Sequence, residues 1–259
     1  VVAVGTHALG GAVENEVDGT VAVGYYALNA LTTGAGNTAV GYNALLTHTT
    51  GGENTVIGYN AMGDTNAGST SLGSTGNVAI GRNTMGGTWA NVASNYNVAI
   101  GNDAMDSALN GALRNVAVGY DSLGSVTTGV DNIAIGFDAG NDITTGADNT
   151  LVGSGAGDKI TTASDCVFIG SGAGDAVTTT GGSNVSDGTV AVGTSALGSL
   201  TSGGNNLAIG IQAGDGITTG SGNIAIGKDA LGGNIEGSQN VSIGHQSLIT
   251  FAADAADHG

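Results

Sequence analysis

The sequence predicts an all-β fold, a parallel β-solenoid (β-roll) of about fourteen coils. Three observations predict it. A short apolar motif ending in Gly recurs fourteen times, most often at a spacing of seventeen residues. The chain contains 50 Gly and no Pro, far from an average globular composition. Hydrophobic residues make up 40% of the chain but aromatic residues only 4%, so Val, Ile, Ala and Leu must form the core.

The recurring motif has the features of a short strand between two turn residues. In "NVAIG" and its variants, Val or Ile precedes the Gly in every copy, and Ala stands before it in ten copies. β-Branched residues favour strands, whereas Asn and Gly tolerate the backbone angles of turns. Short strands at a fixed period stack as a parallel solenoid in which each coil contacts only its neighbours. We therefore expect one strand of about four residues in each coil.

Asn recurs at one position of the repeat, four residues before the Gly. Stacked coils bring such residues into line, so their side-chain amides are expected to form a hydrogen-bonded ladder. The predicted ladder consists of Asn37, Asn54, Asn77, Asn97, Asn115, Asn132, Asn149, Asn206, Asn223 and Asn240.

The strand motif is apolar on both faces. Alternation places the β-branched residues on one side and Ala on the other. Because strands without charge on either face are usually buried on both, we expect Val and Ile to line the coil interior. The Ala side is then expected to meet another copy of the chain in an oligomeric rod. The alternative is a monomeric roll in which Ala faces the second wall of its own coil.

The segments "NVAIG", "NIAIG" and "NLAIG" resemble the head repeats of trimeric autotransporter adhesins. The longer segment "GNTAVGYNALLTHTTGGENTVIGYNAM" resembles repeat shafts of bacteriophage tail fibres. This resemblance implies a left-handed β-roll with three chains about one axis, and a non-enzymatic role in attachment to a host or surface receptor. It implies an extracellular location, on a virion tail fibre, which is slightly favoured, or on a bacterial surface. Residues 1–259 are then one repeat array, a fragment of a longer fibre protein.

Charge and hydropathy restrict the possible partners. Four Lys and Arg against 21 Asp and Glu give a formal charge of −17, which disfavours nucleic acid and anionic membrane surfaces. Apolar runs are too short to insert into a membrane. The single Cys166 excludes an intramolecular disulfide.

The sequence predicts no catalytic residues and no cofactor. The "GSGAGD" stretches at 153–158 and 170–175 resemble phosphate-binding loops, but a further β-repeat follows where such a loop needs a helix. Acidic turns such as "AGND" could bind calcium, and Thr pairs could form the flat rows of an ice-binding surface. A calcium- or ice-binding solenoid is therefore the alternative from another functional class.

Aromatic residues are the candidate contacts to a glycan or protein receptor. Trp89 and Tyr96 lie in an insertion at 86–96, and solenoid insertions often bind partners; two further insertions span 63–76 and 178–188. The remaining candidates follow the motif Gly directly: Tyr25, Tyr42, Tyr59 and Tyr120. Two structural roles are the alternatives: tyrosines stacking between coils to fix register, and Trp89 packing its own loop.

Overall fold

The computed structural model describes residues 1–11, 17–65, 73–89, 92–177, 186–233 and 236–249. They belong to two compact units, Val1–Asp131 and Asn132–Gly259. Both units consist of short parallel strands joined by turns, which confirms the predicted all-β parallel β-solenoid. The extension of one uninterrupted array over residues 1–259 stays a prediction. In the ranges given above, no helix has the length and hydrophobicity to cross a membrane.

The first unit contains seven strands of three residues each, one residue shorter than expected. Consecutive strands pair in parallel and in register, so that Val78, Ala79 and Ile80 lie opposite Val98, Ala99 and Ile100. The strands are β1 (Val2–Val4), β2 (Val21–Val23), β3 (Thr38–Val40), β4 (Thr55–Ile57), β5 (Val78–Ile80), β6 (Val98–Ile100) and β7 (Val116–Val118).

The second unit repeats this arrangement with seven more strands. Its register again places like residues together, as where Leu207, Ala208 and Ile209 pair with Ile224, Ala225 and Ile226. The strands are β8 (Ile133–Ile135), β9 (Thr150–Val152), β10 (Val167–Ile169), β11 (Val190–Val192), β12 (Leu207–Ile209), β13 (Ile224–Ile226) and β14 (Val241–Ile243).

The orientation of the strands corrects the sequence prediction. The central residue of β2 to β14 is buried, whereas its two neighbours are half-buried or exposed. Ala99 is 0% exposed, but Ile100 beside it is 38% exposed. Ala therefore faces the interior of its own coil, and Val and Ile face outward. The prediction that Ala meets another chain is therefore wrong. The alternative correctly gave the direction of the Ala side chains, which face the second wall of their own coil.

Turn residues form the second wall of each coil. After the motif Gly, the third residue is usually Ala and the fourth is often Leu or Met, and both are buried. Coil-to-coil hydrogen bonds hold this wall, as where Leu28 N donates to Ala44 O at 3.0 Å. Leu28 and Leu45 adopt left-handed backbone angles, with φ of 51° and 52°. These angles direct the wall toward the strand and close the core.

Residue size is balanced between the strand and this wall. Leu151 and Phe168 replace the usual central Ala and are fully buried. In the same coils the fourth residue after the motif Gly is itself Gly, at positions 157 and 174. A Cβ on Gly174 would lie 2.6 Å from Phe168 Cε2, so the phenyl ring occupies the volume that Leu fills elsewhere. A large residue on one wall thus requires Gly on the other.

The predicted Asn ladder is present within each unit. Asn97 donates its backbone N–H and its Nδ2 to Asn77 Oδ1, at 3.0 and 3.2 Å. Its Nδ2 also donates to Ala112 O at 2.9 Å, and its Oδ1 accepts two hydrogen bonds from Asn115. In the second unit, Asn149 bonds to Asn132 in the same way. The ladder satisfies buried amides that would otherwise be costly to desolvate.

Four of the fourteen copies carry another residue at the ladder position: Val1, Thr20, Cys166 and Thr189. Cys166 keeps part of the pattern, because its N–H donates to Asn149 Oδ1 at 3.0 Å and its Sγ–H to Ser186 O at 3.3 Å. Thr20 and Thr189 occupy the same repeat position and are buried. Within the described residues, their hydroxyl groups have no hydrogen-bond partner. The ladder is therefore weakest at its substituted positions.

His48 is a buried titratable group in the first unit. Its Nδ1 lies 3.2 Å from Thr65 Oγ1, and its Nε2 lies 3.3 Å from Gly51 O. Burial lowers the pKa of His48 from 6.5 to about 4, although the Gly51 carbonyl acts in the opposite direction. The imidazole is consequently neutral in the folded protein at neutral pH.

Replacing Phe168 by Ala is expected to destabilise the second unit by about 3–5 kcal/mol, because it leaves a cavity in the core. Adding Gly174→Leu restores the Ala and Leu pairing of other coils and should recover most of that loss. Leu tolerates this position elsewhere, since Leu197 has a φ of 52°. Denaturant unfolding of both single variants and the double variant measures the coupling. Additive effects would contradict the proposed size balance.

Acidification is expected to destabilise the protein through His48. Below the unfolded-state pKa of 6.5, His48 binds a proton in the unfolded chain, whereas in the folded chain it binds one only near pH 4. Stability is therefore lost as pH falls across this window, by up to about 3 kcal/mol. His48→Leu, which restores the aliphatic residue found at Leu31, removes this loss. Thermal melts at pH 7, 5.5 and 4 measure it, and an unchanged pH profile in His48→Leu would refute the assignment.

Candidate interaction surface

The outward face of the strands is an apolar surface in both units. Each strand contributes the residues before and after its central one, so two rows of Val, Ile, Leu and Thr run across the coils. In the first unit, Ile57 is 40% exposed. In the second unit, Ile135 and Ile209 are 40% and 41% exposed. Monomeric proteins rarely expose contiguous apolar patches larger than a few hundred Å², and larger patches mark sites of interaction.

Tyrosines form a second exposed feature in the first unit. The rings of Tyr25 and Tyr42 are stacked, with centroids 5.2 Å apart and planes inclined by 10°. Those of Tyr42 and Tyr59 are 5.0 Å apart and inclined by 6°. The three side chains nevertheless remain 43–54% exposed. The structural alternative, stacking between coils, is therefore confirmed, while a contact with a receptor stays a prediction.

The tyrosine stack is local rather than continuous. The residue that follows the motif Gly in the next coil is Arg82, which ends the row. Tyr120 is 48% exposed in the same unit but is separated from the stack by two coils. At the other end, Tyr26 meets the edge of Tyr25 with centroids 4.4 Å apart and stacks on His7 at 4.7 Å. The aromatic cluster thus consists of His7, Tyr25, Tyr26, Tyr42 and Tyr59.

Trp89 and Tyr96 do not form the expected exposed pair. Trp89 is fully buried, and its indole N–H donates to Met85 O at 3.2 Å. Its role as a receptor contact is therefore wrong, because the ring packs in the core. Tyr96 is 58% exposed and remains a candidate. Within the insertions, residues 66–72, 90–91 and 178–185 lie outside the described residues.

Cys166 and the Gly-rich stretches have structural roles. Cys166 is buried, and burial raises the pKa of its thiol to about 12. A thiol that stays protonated is a poor nucleophile. The "GSGAGD" stretches lie in turns whose Ala-Gly residues are buried, at 156–157 and 173–174. Strands β10 and β11 are the next regular elements. The stretches therefore have the repeat context that the sequence predicted.

Acidic residues concentrate near Asp106 in the first unit. Burial first, and then the neighbouring carboxylates of Asp121 and Asp103, raise the pKa of Asp106 to about 6. In the part of the chain that is described, no three His, Cys, Asp or Glu residues are grouped closely enough to hold a metal ion. The calcium-binding alternative stays a prediction.

The Thr pairs lie at a turn and bond across coils. Thr32 Oγ1 donates to Thr49 O at 3.0 Å, and Thr144 Oγ1 donates to Thr161 O at 3.1 Å. The first hydroxyl of these pairs is therefore engaged within the protein. The ice-binding alternative stays a prediction.

Comparison with protein-family models, curated proteins and solved structures finds no match to this chain. The fold and the chemistry of the exposed surfaces are consequently the basis for functional inference.

Replacing Asp106 by Asn is expected to stabilise the protein at neutral pH. Above about pH 6 the folded state must hold an ionised, partly buried carboxylate, whereas the neutral amide avoids that cost. We expect a gain of about 1–2 kcal/mol at pH 7.5, after allowance for solvent screening. The gain should vanish near pH 4, where the native Asp106 is protonated. Melts of both proteins at the two pH values test this, and a pH-independent difference would contradict it.

Proposed function

We propose that the chain is a non-enzymatic structural protein, the shaft or head of a homotrimeric surface appendage that attaches to a receptor. The observation that carries the proposal is the pair of outward Val and Ile rows on the strand face of each unit. A solenoid that faced only water would expose polar residues at these positions. The rows instead repeat apolar side chains coil after coil.

A second copy of the same chain is the partner that fits this face best. The rows are periodic, so a partner with the same spacing between coils can match every side chain, and another copy has that spacing by construction. Parallel strands are normally buried on both faces. A heterologous contact that closes by rotation gives a cyclic oligomer, and the resemblance to trimeric fibre repeats favours three chains. The trimer would then form through Val and Ile rather than through Ala.

Charge supports the separation of an inner contact face from an outer surface. The outward strand positions of the fourteen described strands carry no Asp, Glu, Lys or Arg, although the chain has a formal charge of −17. Burying those positions would desolvate no ionised group. The acidic turns would remain in water and keep separate fibres apart.

Attachment would involve the exposed aromatic residues. Tyr25, Tyr42, Tyr59, Tyr96 and Tyr120 are each more than 40% exposed. Tyr combines a rigid apolar ring with a hydrogen-bonding hydroxyl and is common in contacts with partners. We propose a virion tail fibre as the setting, with a bacterial adhesin head as the alternative. The sequences that flank these repeats in the gene would distinguish a membrane-anchor barrel from a fibre chaperone.

Replacing Ile100 by Asp is expected to dissociate the oligomer. The substitution would place a carboxylate in the contact and leave it unpaired there. Light scattering after size exclusion should give three times the chain mass of 24.7 kDa for the native protein, and about one chain mass for the variant. Val92→Asp is the matched control, because Val92 is 54% exposed outside the strand rows. A native mass of one chain would refute the proposal.

A further inference from the structure

We infer that a cleft beside the tyrosine stack is a binding site for a neutral pyranose ring of a glycan. This inference rests on the attachment role proposed above and specifies its ligand. The cleft has a volume of about 250 Å³ and is lined by Tyr25, Tyr26, Tyr42, Asn43 and Leu46. That volume is below the roughly 300–1,000 Å³ of pockets for drug-sized ligands, so it suits one ring of a larger molecule.

The cleft exists because an aromatic row stops after two coils. His7, Tyr26 and Asn43 occupy the same repeat position in successive coils. Tyr26 stacks on His7 with their planes inclined by 18°. On the side of the next coil its neighbour is Asn43, whose side chain is too short to cover a phenol ring. One face of Tyr26 is therefore left open toward the cleft.

The other walls supply directed polar groups around that open ring. The Asn43 amide can donate two hydrogen bonds and accept others, and the tyrosine hydroxyls can do both. Within the described residues, Asn43 makes no side-chain hydrogen bond that would compete. Leu46 closes the cleft with an apolar surface. A flat aromatic face bordered by an amide and hydroxyl groups complements a pyranose, which presents a C–H face and a rim of hydroxyls.

Charge and ring geometry argue against other ligands. None of the five lining residues is charged, and the chain is strongly acidic, so an anionic ligand would be repelled. A quaternary ammonium ion needs several converging ring faces, but Tyr25 and Tyr42 cover each other. A purely aliphatic ligand would leave the Asn43 amide unpaired. A neutral sugar can pair with that amide.

Saturation-transfer NMR on the whole chain tests the inference with defined probes. Methyl glucoside, methyl galactoside and methyl mannoside are the neutral probes, and methyl glucuronide is the matched anion. We expect transfer to ring C–H protons of at least one neutral glycoside, and about tenfold weaker binding of the glucuronide than of the glucoside. No transfer to any neutral glycoside, or preference for the glucuronide, would overturn the inference.

Two variants locate the site, and a third is the control. Asn43→Tyr extends the stack over Tyr26 and fills the cleft, and we expect it to weaken binding at least about tenfold while the thermal melt is retained. Asn43→Asp tolerates the same backbone angle but adds a charge and removes the amide donors, and it should also weaken binding. Phe137→Ala removes an aromatic ring of the second unit that is 55% exposed and lies outside the cleft, and it should change nothing. Native-like binding in Asn43→Tyr, or a loss in Phe137→Ala, would show that the cleft is not the site.

Light scattering on the same samples separates this inference from the proposed fibre. A trimer that binds no neutral glycoside overturns the pyranose site and leaves the fibre standing. A monomer that binds in the cleft overturns the fibre and leaves the binding site standing.

Discussion

In-register stacking of consecutive coils is the constraint on which the rest of the structure depends. Because consecutive strands within each unit pair in parallel at the same repeat position, a residue usually meets the same or a similar residue type in the coils above and below. Backbones also approach closely at the motif glycines: a Cβ on Gly210, where φ is +133°, would lie 2.7 Å from Gly227 O. The Asn ladder, the Gly row and the apolar rows all result from this one rule.

Periodicity made much of the fold predictable from the sequence. A fixed spacing locates the strands, and Asn at a constant position predicts an amide ladder because stacking aligns it. The direction of the strand faces was not predictable in the same way. Val, Ile and Ala are all apolar, so alternation separates two faces without showing which one lies inside. The decisive factor is volume, since Leu and Met from the second wall leave room only for a small central residue, Ala in most coils and Val56 in one.

The candidate surfaces were predictable only in part. The tyrosines that follow the motif Gly are exposed, as their repeat position indicates, but Trp89 is buried in a segment that departs from the repeat. The balance between Phe168 and Gly174 joins residues six positions apart and appears only when the two walls of one coil are seen together. The cleft at Tyr26 depends on the difference between that ring and Asn43 in the next coil. Such signals lie in departures from the repeat rather than in the repeat itself.

The left-handed residues of the second wall have a consequence for how the chain folds. Leu28, Leu45, Met62 and Met85 all have φ between 45° and 52°, a conformation that costs a bulky residue about 1 kcal/mol or more. In a coil with no neighbour, no hydrogen bonds between coils would offset that conformational free energy. Formation of the first coils is therefore the slow, unfavourable step, and each later coil adds to a template that already fixes its backbone. Folding of such a chain is a nucleated growth process. Its rate depends on how many coils have already formed rather than on the stability of any single coil.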